Sequence, residues 1–557
     1  MSFVRRIAVV AAVLAARPAW AQHVLSTLPL DDPAYTQLEG LARAGCAPAR
    51  ISPFRPYYVG DVIAAVRAAG TDGHCQPIVV AALAARFIPP VAPAAPVDTS
   101  PPQSDLEAIA RESARHVDDD ERHSYAGAAV TAQLTGLGRG EFRPYFAGVR
   151  SVAVGTPPGV LLVRARGVFD GGPRFVAVSE GYLESSGRND PLIRGKGFAQ
   201  TSASLDFSEA YANARLGSLV LSLGRSREAW LGEGTESIVL SGNVPPLDRV
   251  LLSGRWKRVE GRAFIASLND VTLTGGLDSL SADSGDRLFH RMLAGHVLAI
   301  RPTATTEFTL GETILISRRS RGEGITYANP LIPYIVAQND TGLTAVAPRD
   351  NLMLFGSART NLGPLILSGE LNADDFQYGS KDRQTIPDQL AWRLAASAPL
   401  SFVSVRPTTL QASYTHVNTY TYERAAYTEG YHSYDRPLGS ELGPDADIAL
   451  GGAEVWLSGN LLLAAEVGRW RQGAIHIDQR PGRSVNLGFV PYPSTSPARP
   501  AVQSATLGGV SLRLLRRSLP VTLRLDGARV ANAGNQPHAA ELYIRAQLLA
   551  TYAFRYP

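Results

Sequence analysis

In the segment "ELYIRAQLLATYAFRYP" every second residue is apolar or aromatic: Leu542, Ile544, Ala546, Leu548, Ala550, Tyr552, Phe554 and Tyr556. Arg545, Gln547, Thr551 and Arg555 fall between them. Side chains alternate across a strand, so this is a strand with one apolar and one polar face. The pattern recurs back to about Tyr125. In "VTLRLDG", Val521, Leu523 and Leu525 oppose Thr522, Arg524 and Asp526; in "TTLQASYTH", Leu410, Ala412 and Tyr414 oppose Thr409, Gln411, Ser413 and Thr415. A chain built this way is all-β over most of its length.

The connections fall into two classes that alternate. "RPTAT", "TNLGP", "SGN" and "RSLP" are short, whereas 317–350, 423–446 and 473–502 are long. Short turns alternating with long loops fit a bacterial outer-membrane barrel, whose turns face the periplasm and whose loops face outside. A soluble sandwich or propeller alternates too. Strands of about ten residues, an export signal and the aromatic end of the last strand favour a transmembrane antiparallel β-barrel. Segment counting gives about 18 or 19, and single-chain bacterial barrels have even strand numbers, so about 18 are expected. "SYAGAAVTAQLTG" is the segment set aside, because its direction would leave the preceding helices outside the cell; the turn "WKRVEG" is the other segment at issue.

Residues 1–21 read as a signal peptide: "MSFVRR" is basic, "IAVVAAVLAA" is apolar and "AWA" precedes Gln22. The apolar run is too short for a spanning helix. Residues 22–88 read as a small helical bundle on the periplasmic side. Asp32 caps a helix that opens with Pro33 and buries Tyr35, Leu38 and Leu41; a second groups Val62, Ile63 and Val66; a third runs from Pro77 to Phe87. Residues 89–122 form a Pro/Ala linker and a short helix in which Ser104 and Glu107 have capping-box spacing, and 123–557 are the barrel. The two cysteines, Cys46 and Cys75, form an even pair in an exported chain and are expected to be disulfide-bonded.

With a net charge of +4 and no dense Lys/Arg block, the chain lacks a nucleic-acid footprint. No metal-spaced His cluster or nucleophile elbow is present, and "LGEG" lacks the lysine of a phosphate loop. Asp374 and Asp375 are adjacent on a strand and so face opposite sides. No enzyme, metal or cofactor is expected. Arg524, Asp526, Glu370 and Arg545 read as a hydrated, ion-paired lumen. Tyr414, Tyr420 and Tyr422 suit an interfacial girdle. Tyr427, Tyr431 and Tyr434, further along the same loop, are candidate ligand contacts, since aromatic faces with a polar handle suit sugar rings.

"STLPLDDPAYTQLEGLARAGC", "RPYYVGDVIAAV", "LGRSREAWLGEGTESIVLSGNVPPLDRVLL", "GETILISRRSRGEGITYANPLIPY" and "GELNADDFQYGSKDRQTIPDQLAWRLA" together resemble the Wzi-type capsule-assembly outer-membrane proteins. The resemblance spans nearly the whole mature chain. It implies an outer-membrane barrel with a periplasmic helical bundle that binds exported capsular or extracellular polysaccharide, sits in outer-membrane lipid and meets the polysaccharide export machinery. Trp230, Gly232, Asn243, Asn329, Pro330, Asp374, Asp375 and Phe376 occupy the motif positions, as structural or loop-anchoring residues. The alternative is a porin-like solute channel.

Overall fold

The computed structural model describes residues 23–88, 125–136, 159–184, 204–231, 237–242, 245–273, 287–319, 327–329, 331–339, 350–375, 389–400, 406–423, 427–434, 436–477 and 492–556. The signal at 1–21 and the linker with its short helix at 89–122 lie outside them.

Eighteen antiparallel strands close into one ring. They are β1 (Tyr125–Gly136), β2 (Gly159–Asp170), β3 (Phe175–Glu184), β4 (Ser204–Leu216), β5 (Leu219–Ser226), β6 (Leu247–Trp256), β7 (Val259–Ser267), β8 (Arg287–Ile300) and β9 (Glu307–Arg318). The second half comprises β10 (Asn351–Leu362), β11 (Leu365–Asp375), β12 (Gln389–Pro399), β13 (Thr408–Val417), β14 (Ala446–Ser458), β15 (Leu461–Gln472), β16 (Gln503–Leu515), β17 (Pro520–Ala531) and β18 (Ala540–Tyr556). The ring shuts where β1 pairs with β18, from Ala126↔Tyr556 to Gly136↔Ala546.

The expectation that set "SYAGAAVTAQLTG" aside is overturned, because that segment is β1. With β1 included the strand number is even, so both ends of the barrel lie on the short-turn side, and the helices enter from the periplasm. "WKRVEG" is a tight turn, with Trp256 paired to Val259.

β17 shows why the outer face needs lipid. Leu523 and Leu525 are 48% and 56% exposed, while Arg524 and Asp526, one residue away, are 6% and 3% exposed. Burying a Leu removes about 1.5–3 kcal/mol of unfavourable hydration, so a wall of exposed leucines over a charged interior is stable only in an apolar solvent. β18 keeps the same register: Leu542 and Ile544 point out, and Arg545 donates inward to Asp526 at 2.7 Å.

The helices α1 (Ala34–Arg43), α2 (Val59–Ala69) and α3 (Pro77–Phe87) form the head. Asp32 accepts the Ala34 N–H at 2.8 Å, as its capping role requires. The Cys46–Cys75 disulfide ties the segment after α1 to the approach to α3. Leu38, Leu41, Val62, Val66, Val79 and Leu83 make a core that continues into the wall at Trp456, Leu462 and Leu515. Gly40 permits that approach, since a Cβ there would lie 2.7 Å from the Trp456 ring.

Candidate functional site

The head docks inside the periplasmic mouth by polar contacts at several points of the ring. Arg43 makes a bidentate pair with Glu454 of β14, Nη2 donating to Oε1 at 2.8 Å and Nε to Oε2 at 3.3 Å. Ser52 donates to Glu260 of β7 at 2.8 Å, and Asn213 of β4 donates to Leu25 O at 2.7 Å. Arg301, beyond β8, donates to Ile51 O at 3.0 Å. Within the head Arg55 pairs with Glu39 at 2.6 Å; burial is the largest single influence and works against its charge, yet the Glu39 carboxylate together with the Tyr57 and Tyr35 phenols outweighs it and holds the guanidinium pKa above its usual value.

At mid-lumen the head meets a loop from the other side. Residues 227–231, which follow β5, turn inward from the extracellular end, and Ala229–Trp230 pairs antiparallel with Phe54–Arg55. Leu231 N–H donates to Pro53 O at 2.8 Å. The Trp230 and Phe54 rings meet edge-on at 6.1 Å, and Phe264 of the wall packs on Trp230 at 5.0 Å. Gly295 leaves room for the indole, because a Cβ there would lie 2.9 Å from it. Trp230 Nε1 donates to Glu228 at 3.2 Å, and the fully buried Glu228 is held by Arg249 at 2.7 Å and Arg262 at 3.2 Å. A buried carboxylate needs such partners to remain charged.

Above this, residues 418–423, 427–434 and 436–445 dip into the extracellular mouth. Tyr422 and Tyr431 are fully buried and stack at 6.0 Å. Tyr422 Oη donates to Ile238 O at 2.5 Å, and its N–H donates to Asp374 at 2.8 Å. Tyr431 Oη lies 3.1 Å from Thr313 Oγ1. Burial pushes both phenol pKa values well up. Arg291 of β8, itself buried, donates to Thr428 O, Gly430 O and His432 O at 2.6–2.9 Å.

The girdle assigned to Tyr420 and Tyr422 is therefore corrected: both are buried, with Tyr422 inside the lumen, because their loop turns inward instead of lying along the wall. Tyr414 does stand on the outer face, 5.0 Å from Trp392. Tyr431 presents no surface to a ligand, Tyr434 is half-buried with its N–H on Asn269, and Tyr427 lies in a short turn with its side chain outside the description. Among the motif positions, Trp230 and Asp374 are buried anchors, Asn329 is exposed and accepts the Leu331 N–H at 3.1 Å, and Asp375 ends β11. Gly232, Asn243, Pro330 and Phe376 lie outside the described residues.

Sequence reasoning missed a strap on the outer wall. The stretch 317–350 reads as an extracellular loop, but its helix Tyr334–Asn339 packs on the outward residues Ala294, Ile314 and Ile316. Beneath it, outward-facing His296 and Glu312 meet at 2.5 Å, and Glu312 accepts the Tyr334 N–H at 2.7 Å. Leu331 and Val336 project from the strap, 87% and 57% exposed.

A closed ring with apolar residues outside and ion pairs inside admits one setting. The chain is an outer-membrane β-barrel. No family model matches it, and no curated protein matches its sequence. Among solved structures the barrel is similar to Wzi of Escherichia coli, an outer membrane protein involved in group 1 capsule assembly and a carbohydrate-binding β-barrel. That likeness has a TM-score of 0.58 at 12% identity and covers 95% of this chain and 100% of that one. OprD from Pseudomonas aeruginosa is similar at a TM-score of 0.43 and 9% identity, covering 79% of this chain and 96% of that one. At 12% identity the likeness to Wzi concerns the fold alone.

Proposed function

We propose that the protein is a non-conducting, non-enzymatic barrel that holds exported capsular or extracellular polysaccharide at the cell surface. The observation that carries this is the meeting of Phe54 and Trp230, which joins the periplasmic head and the extracellular loops across the lumen. A solute channel needs a continuous polar path, and the apolar core that joins the head, the inward loops and the wall from β6 to β13 inside the lumen supports a plugged barrel instead. The carbohydrate binding named for the similar Wzi barrel supports the polymer as ligand. Tyr427 and Tyr434 remain the loop aromatics for contacting it, and the head is the surface for export machinery. Residues 1–21 are its export signal.

The test combines two measurements on the purified full-length protein. Capsular polysaccharide from the source strain should bind, with weaker binding after Tyr427→Ala and Tyr434→Ala, and planar bilayers should show no steady conductance. Steady conductance without polymer binding would assign the solute channel instead.

A further inference from the structure

Ion pairs punctuate the extracellular end of the outer wall. Arg225 is matched by Asp206 at 3.1 Å and Asp248 at 2.6 Å, His290 by Asp270 at 3.1 Å, and Arg318 by Asp350 at 2.6 Å. The sector from β14 to β18 departs from this balance. Its outward residues include Arg469 and Arg471 on β15 and Arg529 on β17, against one carboxylate, Asp447, which Arg471 already engages at 2.5 Å. Arg469 and Arg529 have no ion-pair partner among the described residues.

Register places these two arginines together. Arg469 is opposite Thr506, and Thr506 is opposite Arg529, so they lie in one row across three adjacent strands, both exposed, with the small Thr506 between them. Directly below, toward the periplasm, the outward face is apolar: Val467, Val510 and Leu525 are 61%, 49% and 56% exposed. From the row of Leu461 and Val521 up to the arginines the strand runs about eight residues, or about 20 Å along the barrel axis at the tilt usual for such walls. The arginines thus stand at the upper edge of the lipid belt, where long basic side chains reach the headgroup layer. Trp392 and Tyr414 occupy the same edge on the neighbouring strands, as interfacial aromatics do.

We propose that this sector binds the phosphate groups of an anionic glycolipid in the outer leaflet, with Arg469 and Arg529 as the phosphate contacts and the Val467–Leu525 belt as the acyl-chain contact. Guanidinium groups bind phosphate through paired, charge-assisted hydrogen bonds, and two arginines in one row without a carboxylate partner among the described residues have such donors to offer. Position on the wall, not on the loops, selects a membrane lipid over a soluble polymer.

The test uses the full-length protein in mixed detergent micelles, titrated with bisphosphorylated lipid A, with the same lipid lacking phosphates, with inorganic phosphate and with an acidic polysaccharide lacking acyl chains. The phosphorylated lipid should bind at least about tenfold more tightly than the dephosphorylated one. Arg469→Gln/Arg529→Gln should remove that difference, and Arg469→Lys/Arg529→Lys should keep most of it; both pairs are exposed, and heat-dependent gel mobility checks that the barrel is closed. Equal binding of the two lipids, an unaltered preference in the Gln variant, or displacement of the lipid by inorganic phosphate or by the polysaccharide would each overturn the proposal.

Discussion

Phe54 and Trp230 pair backbone to backbone in the middle of the lumen, the first carried in by the periplasmic head and the second by an extracellular loop. The packing of the head and that of the extracellular loop therefore depend on one another.

Trp230→Ala should act at both ends. It removes a fully buried indole that touches Phe54, Phe264 and Phe355, at a cost of about 3–5 kcal/mol for a large-to-small core change. Urea unfolding in detergent should record that loss. Planar bilayers should show conductance steps absent from the wild type; a variant as silent and as stable as the wild type would contradict the packing role.

Arg43→Ala should loosen the head while leaving the ring closed. It leaves buried Glu454 without its bidentate partner, and breaking a buried pair from one side costs about 3–5 kcal/mol. Glu454→Gln, which keeps a hydrogen-bond acceptor, should cost less. Hydrogen exchange of the α1 amides is the readout, with exchange in β16 and β17 unchanged.

Alkaline titration should expose the tyrosine loop. Burial raises the Tyr422 and Tyr431 phenols, so the folded state keeps protons that the unfolded chain releases. Their contribution to stability is whole below about pH 10, the ordinary tyrosine value, and is lost as the pH rises beyond it. The melting temperature should fall over that window, and Tyr422→Phe/Tyr431→Phe should flatten the fall. Tyr422→Phe alone also loses its bond to Ile238 O, about 1–3 kcal/mol at neutral pH.

Cys46→Ser/Cys75→Ser should make the head sensitive to protease, with a loss of about 2–4 kcal/mol in its stability. The barrel should keep its heat-dependent gel mobility. Equal protease resistance of the two forms would show that docking onto the wall, and not the disulfide, holds the head.

The wall was legible because period two is a local property. Leu523, Arg524, Leu525 and Asp526 announce their faces without reference to any other strand, as does Arg545, whereas the bond from Arg545 to Asp526 depends on the register between β17 and β18. The caps at Asp32 and the pairing of Cys46 with Cys75 were legible for similar reasons. The loop tyrosines were not: whether Tyr422 faces lipid or lumen depends on where residues 418–445 travel, which is decided by distant partners such as Ile238 and Arg291. The strap did leave a signal. Glu312 shares the outward parity of Ile314 and Ile316, and a carboxylate on a lipid-facing row implies a cover.

The seam between β1 and β18 joins the first strand made to the last. Because the head docks onto partners as far apart in sequence as Asn213, Glu260 and Glu454, its seat is incomplete until nearly the whole chain has been delivered. Contacts of such long range form late and slowly. The head precedes the barrel in the chain, yet closing the ring is the step that gives it a place to sit.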